Sequence, residues 1–370
     1  MLVASQVQAA EPFETKARQI LLVDDKTDTV LLSKDPDVPV PPASMAKMMT
    51  VEVVLDSLKR GEITRETSYP VSEHAWRTGG APSGTSTMFA PIKSSIAVSD
   101  LLQGVVVQFA NDACIVLAEG MAGSEAAFAR SMTERARALG LNASTFANPT
   151  GLPDPGNVTT LRDLLSLARH LRRTYPEVMP LYSQPEFEWN KIRQRNRNPL
   201  LSLNIGVDGY VAGFAEGYGY GLVASMQQNG RRVDLAINGL ANEKERVSEA
   251  RRVLDWAMAN FAEKRLFEPN ETIAEASVYG GAVATVPLSI AEPVDVLLPV
   301  GVDAKLKGQV IYRWPVSVPI AAGQPLGTLK IWNGDQLLRE VPLKAARAVE
   351  GGTLTSRAAD ALQELLFFWL

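Results

Sequence analysis

The sequence predicts an α/β chain of the α+β kind: an antiparallel sheet flanked by helices with a helical subdomain, followed by a small all-β domain. Three observations carry that prediction. Strand-like apolar runs occur near the start and again after residue 200, with helical periodicity between them. A stretch from about Ala43 to Arg60 is apolar nearly all round, as suits a helix buried at a domain centre. Around Arg265 the helical period gives way to short β-branched runs broken by Gly and Pro, the texture of a β domain.

Gln19 to Val23 and Thr29 to Leu32 flank the polar turn Asp24-Asp25-Lys26-Thr27-Asp28 and read as a hairpin. Pro39, Pro41 and Pro42 then hold the chain extended until the helix that starts near Ala43. That helix has Lys59 and Arg60 in its last turn and Gly61 as its stop. Ser99 to Gly120 and Ser124 to Leu139 are expected as two helices, each with a serine N-cap and a terminal glycine, Gly120 and Gly140. Leu161 to Tyr175 is another. Leu222 to Met226 and Val233 to Ile237 are strands joined through Gln228-Asn229-Gly230, and Asn-Gly is a strong hairpin signal. Gly217-Tyr218-Gly219-Tyr220-Gly221 reads as a strand edge needing close backbone approach, since no helix follows it as a dinucleotide loop would require. Glu243 to Phe261 is a long amphipathic helix. Val294 to Leu298, Val310 to Tyr312 and Gly327 to Trp332 are strands of the last domain.

The 370 residues are 46% hydrophobic and 21% charged, with a formal net charge of -4, so the chain has no basic footprint for nucleic acid. One cysteine, Cys114, excludes internal disulfides and reads as core. His74 and His170 lack metal-ligand spacing and are expected to be ordinary surface or half-buried residues, so no metal and no cofactor is predicted. Small residues near Ala9 resemble a signal-peptidase site without the charged and apolar regions of a full signal. Residues 1–10 are read as a signal remnant or, less favoured, a disordered tail. From Leu354 to Leu370 helical spacing returns and ends Leu365-Leu366-Phe367-Phe368-Trp369-Leu370. A membrane-surface anchor is favoured there over a helix packed on its own domain, although Arg357, Asp360 and Glu364 give no basic excess. The expected division is 11–264, 265–352 and 353–370.

The chemistry sits in Ser44-Met45-Ala46-Lys47. A serine and a lysine three apart on a helix share a face. Burial lowers the amine's pKa, so that it can take the hydroxyl proton. The bland alternative is an N-cap serine followed by a first-turn surface lysine.

Pro41-Pro42-Ala43-Ser44-Met45-Ala46-Lys47-Met48-Met49-Thr50 is similar to the first motif of the D-alanyl-D-alanine carboxypeptidases, the low-molecular-mass penicillin-binding proteins. Trp76-Arg77-Thr78-Gly79-Gly80 and Gly84-Thr85-Ser86-Thr87-Met88 resemble the loop after it. Phe146, Asn148, Gly151-Leu152 and Arg195-Asn196-Arg197-Asn198 match further stretches, and the similarity runs from about Glu11 to the terminal helix. The resemblance implies a β-lactamase-like serine DD-peptidase domain. It further implies acyl transfer from Ser44 with Lys47 as base, and Asn111 orienting the lysine and the substrate amide. The backbone N–H groups of Ser44 and Phe214 would form an oxyanion hole. The implied partners are peptidoglycan stem peptides ending in D-Ala-D-Ala, β-lactams as acylating ligands, and a peripheral membrane contact through the terminal helix. The implied location is a bacterial periplasm, at the outer face of the inner membrane.

The sequence departs from the family at two motifs. The S-x-N stretch reads Phe109-Ala110-Asn111, and the K-T-G stretch reads Val211-Ala212-Gly213. A proton-relaying serine and the lysine and threonine that grip the substrate carboxylate are therefore replaced. Each lost charge-assisted hydrogen bond is worth about 1.5–3 kcal/mol, and a lost proton relay costs about 10²–10⁴-fold. Impaired activity is expected, roughly four or more orders of magnitude in catalytic efficiency. The alternative is a non-catalytic relative that binds wall or plays a structural part. The replacements are all apolar or small, which suggests a cleft repacked as a unit.

Overall fold

In the computed structural model, which describes residues 13–301 and 305–353, the chain opens with the antiparallel pair β1 (Gln19–Asp24) and β2 (Val30–Lys34). The turn between them is set by Asp24, a buried carboxylate that accepts from the Thr27 N–H at 2.9 Å and the Thr27 hydroxyl at 2.7 Å. A 3₁₀ turn over Ala43–Ala46 leads into α1 (Lys47–Lys59). The short strand β3 (Ser68–Pro70), helix α2 (Glu73–Thr78) and strand β4 (Ser95–Ala97) follow. Then come α3 (Val98–Gln108), α4 (Asn111–Ala122), α5 (Glu125–Ala138), α6 (Leu161–Thr174) and the short α7 (Met179–Ser183). A small hairpin, β5 (Glu186–Trp189) with β6 (Ile192–Arg195), precedes β7 (Val207–Ala215), β8 (Gly219–Gln228) and β9 (Arg231–Leu240). Helix α8 (Glu243–Asn260) closes this part.

The main sheet is antiparallel in the order β2-β1-β9-β8-β7, so the first two strands pair with the last three across the helical insertion. This leaves β7 at an edge, beside the 3₁₀ turn of Ser44. α1 is buried along nearly its whole length, as its composition predicts. The exception in kind is Glu52, fully buried on the same helix. Its carboxylate meets Arg135 at 2.7 Å and His170 at 3.2 Å. Burial pushes the Glu52 carboxyl above the usual range, against the pull of Arg135 and His170.

The expected single helix over Ser99–Gly120 is two helices. Phe109 takes a left-handed conformation (φ +54°) and ends α3, and α4 restarts at Asn111. Neither assigned cap holds: Ser99 lies inside α3, whose N-cap is Ala97, and Gly123 (φ +75°) ends α4. Gly120 serves packing instead, since a methyl group there would stand 2.1 Å from the Tyr69 ring. Ser124 does cap α5, accepting from the Ala127 N–H at 3.2 Å. Phe261 is not helical; it begins the next strand.

The chain divides between Met258 and Ala259. The second unit contains β10 (Phe261–Phe267), β11 (Thr272–Tyr279), β12 (Thr285–Ser289), β13 (Val294–Pro299), β14 (Leu306–Tyr312), β15 (Val316–Ser317), β16 (Pro325–Asn333) and β17 (Gln336–Ala345). Six strands form one sheet in the order β14-β16-β17-β12-β11-β15, and β10 pairs with β13. Its core is Val286, Leu288, Val296, Leu329, Ile331 and Leu343. The expected boundary at Arg265 falls inside β10, whose charged run Glu263-Lys264-Arg265 conceals a strand. The signal remnant of residues 1–10 and the terminal helix of 354–370 lie outside the described residues. Among the described residues no helix is long and apolar enough to cross a membrane.

One ion pair ties α6 to the sheet. Asp234 of β9 is fully buried and takes both nitrogens of Arg172, at 2.7 and 2.8 Å. Arg172 also reaches the Tyr210 and Ser225 hydroxyls at 3.3 and 3.2 Å. Arg172 meets Asp25 as well, at 2.5 Å, so removing Asp234 leaves it partly compensated and costs toward the lower end of the roughly 3–5 kcal/mol of a broken buried pair. Asp234→Ala is therefore expected to lower the urea midpoint by that equivalent with an unchanged slope, read by circular dichroism.

Candidate active site

The 3₁₀ turn and α1 bring Ser44 and Lys47 together. Lys47 Nζ lies 3.3 Å from Ser44 Oγ. Ser44 is partly exposed, whereas Lys47 is buried. Lys47 is thus not the surface lysine of the bland alternative. Burial is the main cause that brings the Lys47 ammonium down to about 8, and the Arg197 guanidinium pushes the same way. An amine near neutrality in water-poor surroundings is fit to take a hydroxyl proton.

A loop that the sequence could not connect to the lysine holds its other side. Lys47 Nζ donates to the Thr150 carbonyl at 2.5 Å. Thr50, one turn along α1, donates its hydroxyl to the Pro149 carbonyl at 2.6 Å. Asn148 shapes this loop by accepting from the Thr150 N–H and hydroxyl and from the Gly151 N–H, at 3.2, 2.8 and 2.8 Å. Gly151 (φ +75°) lies against the chain just before the nucleophile, where a methyl group would stand 1.7 Å from Ala43 O. Ala43 itself has φ +48°. Thr50 and the Thr150 carbonyl are functional positions missed in the sequence; the matched Asn148 and Gly151 were their signal.

Asn111 opens α4, with its N–H on Ser86 O at 2.7 Å and its Nδ2 on Thr85 Oγ1 at 3.0 Å. Its buried Oδ1 has no partner, so it does not hold Lys47 as expected. The neighbouring Asp112 explains the Thr85–Met88 match. Its fully buried carboxylate accepts from the Thr87 hydroxyl at 2.6 Å and from the N–H groups of Met88, Ala90 and Ala113, each at 3.0 Å. Three donors, from Thr87, Met88 and Ala90, fix that loop over the start of α4, and the fourth, Ala113 N–H, lies within the helix.

The altered motif positions meet at the lysine. Phe109, Val211, Met48, Val51, Val105, Val106 and Tyr182 surround Lys47 with a void of about 10 Å³. A water needs about 10–15 Å³, so at most one fits beside the lysine, among apolar side chains. Ala212 is buried, and Gly213 backs onto the nucleophile: a methyl group there would stand 3.1 Å from Ala43 Cβ and 3.3 Å from Ser44 N. Arg246 of α8 braces this strand through the Gly213 carbonyl at 3.1 Å. Beyond it Phe214 is 53% exposed and borders a groove of about 720 Å³ with Pro39, Ala43, Leu152, Glu216 and Tyr218. Cys114 is buried near Lys47, and burial pushes its thiol up to about 12. Among the described residues no group of three or more His, Cys, Asp or Glu side chains is placed to hold a metal.

The family described as D-alanyl-D-alanine carboxypeptidase matches residues 5–241, and the family described as penicillin-binding protein 5, C-terminal domain, matches residues 261–351. This chain belongs to the D-alanyl-D-alanine carboxypeptidase family. It is 34% identical to D-alanyl-D-alanine carboxypeptidase DacC of Escherichia coli K12, over 98% of this chain and 91% of that protein. Penicillin-binding protein 5 from Haemophilus influenzae superposes with a TM-score of 0.82 at 31% identity, covering 92% of this chain and all of that one. Penicillin-binding protein D2 from Listeria monocytogenes, in its ampicillin-bound form, superposes with a TM-score of 0.57 at 25% identity, covering 66% of this chain and 98% of that one.

The Lys47 environment has a measurable consequence. Labelling of Ser44 by phenylmethanesulfonyl fluoride, followed by intact mass, is expected to speed up with pH and level off above an inflection near 8, where the amine becomes neutral. In Gly151→Ala, with its 1.7 Å clash at a left-handed position, the thermal midpoint is expected to fall by several degrees, and labelling by about 10-fold or more, as the Thr150 carbonyl is displaced.

Proposed function

We propose that this chain acts on the D-alanyl-D-alanine end of peptidoglycan stem peptides by serine acyl transfer, with slow turnover. The observation that carries this reading is the 3.3 Å approach of the buried Lys47 amine to Ser44 Oγ. Ser44 attacks the carbonyl between the two D-alanines as Lys47 takes its proton, and water later clears the acyl-enzyme. The Ser44 and Phe214 N–H groups polarise the carbonyl oxygen, a part that survives side-chain replacement because the donors are backbone. The unpartnered Asn111 Oδ1 is an acceptor for the substrate amide N–H.

Slowness follows from Phe109, Val211 and Ala212. The leaving amine of a peptide must be protonated, and the relay hydroxyl is absent, with apolar Phe109 and Val211 beside the lysine in its place. The terminal carboxylate meets valine and alanine where the family presents lysine and threonine. The two losses together amount to roughly four orders of magnitude or more. The filled void also favours a second reading, a non-catalytic relative that keeps the fold. β-Lactams, as in the ampicillin-bound Listeria relative, are expected to acylate Ser44 slowly for the same reasons. We place the protein in a bacterial periplasm, attached to the inner membrane through the apolar end Leu365–Leu370, with the β unit as a separate module.

Release of D-alanine from bisacetyl-lysyl-D-alanyl-D-alanine is expected to be slow and to vanish in Ser44→Ala. The combined change Phe109→Ser, Val211→Lys and Ala212→Thr is expected to raise it by about 100-fold or more. No gain in that triple variant would overturn the account of the altered motifs, and release that persists in Ser44→Ala would overturn the nucleophile.

A further inference from the structure

The β unit has one end without charge. No charged residue stands between Glu275 and Glu292, nor between Arg313 and Lys330, in a chain that is 21% charged. The middles of these two stretches meet. β15 runs parallel to β11, with Val316 beside Val278 and Ser317 beside Tyr279. The turn from β11 to β12 projects beyond them: the Val278 N–H donates to Ala284 O at 2.9 Å, and Ala282, Val283 and Ala284 are exposed. Val318 stands beside this turn, since a methyl group on Gly281 would lie 3.3 Å from Val318 Cγ1, and the exposed Pro319 follows it. Apolar side chains held in water carry a cost that a second apolar phase would relieve.

A separate observation says what that phase is. The last described stretch of the chain crosses the same turn. Gly351 bridges to Gly281, the Ala282 N–H donates to Glu350 O at 2.9 Å, and the Gly352 N–H donates to Gly280 O at 2.8 Å. Residues 354–370 therefore depart from beside the turn, and they end Leu365-Leu366-Phe367-Phe368-Trp369-Leu370. A single short apolar anchor holds a bilayer only marginally, and stable attachment takes a second signal. The end segment has no basic excess to supply one. Glu350 is the one charged residue in 348–353.

We propose that the turn 280–284, with Val318 and Pro319, dips into the surface of the lipid bilayer that holds the apolar chain end. The inference rests on membrane attachment through that end and not on the chemistry at Ser44. Because the turn carries no cation, its contact is apolar and indifferent to lipid charge and to salt.

The test uses the full chain with Val283→Cys carrying a polarity-sensitive nitrobenzoxadiazole label; the native Cys114 is buried and stays unlabelled. On phosphatidylcholine vesicles the emission is expected to rise and shift to the blue, equally when phosphatidylglycerol is added or salt is raised. The same label at Val300→Cys, a position 58% exposed where the chain enters this unit, should not respond. Without a label, Val283→Glu is expected to weaken co-sedimentation with vesicles by about 10-fold, and Val283→Leu to leave it unchanged or tighter. A chain that co-sediments while the label at 283 stays silent, or responds no more than the one at 300, overturns the inference and leaves attachment through the chain end standing. A chain that does not co-sediment overturns both. A blue shift at 283 without vesicles also overturns the inference: a second copy covers the turn if the shift grows with protein concentration, and the chain's own end covers it if the shift does not.

Discussion

The amine of Lys47, enclosed in protein, is the constraint on which the first unit depends. A buried ammonium without a carboxylate is costly, and among the described residues a carbonyl and a hydroxyl receive it. The Thr150 carbonyl is available because Asn148 turns the loop and Gly151 lets it lie on Ala43. Thr50 fixes the same loop to α1 from the next turn. Burial brings the ammonium down to about 8 despite these contacts, within reach of the neutral form that chemistry at Ser44 requires.

The altered motifs make sense against that enclosure. Phe109 and Val211 leave only a small void beside the lysine, which they border together with Met48 and Val105, and Ala212 is buried. Dry, well-packed surroundings favour a neutral amine over a charged one. In the proposed function, the replacements remove groups that bind and relay while the condition that favours a neutral base remains.

Much of the architecture was legible in the sequence. The Asn229-Gly230 turn, the all-round apolar α1 and the change of texture near residue 265 correspond to a hairpin, a central helix and a β unit. The misreadings share a cause, a tertiary contact that local pattern does not record. Gly120 looked like a helix stop because its role, making room for the Tyr69 ring, involves a distant residue. The break at Phe109 was hidden in an unbroken apolar run that periodicity continues as helix. At the site, Ser44 and Lys47 were visible through their spacing. The Thr150 carbonyl, a backbone acceptor over a hundred residues away, was marked only indirectly, by the matched Asn148 and Gly151 on either side of it. Glu52 was passed over among apolar neighbours for the same reason: its partners Arg135 and His170 come from two other helices.

The shared void around Lys47 also couples two positions. Because Phe109 and Val211 border the same small space, neither can be changed independently of the other. A lysine at 211 facing an intact phenylalanine would bring a second cation into a crowded, apolar corner. A serine at 109 facing an intact valine would open a gap and strand a hydroxyl. The two side chains therefore behave as one packing unit, and the cost of altering either is set by what stands at the other.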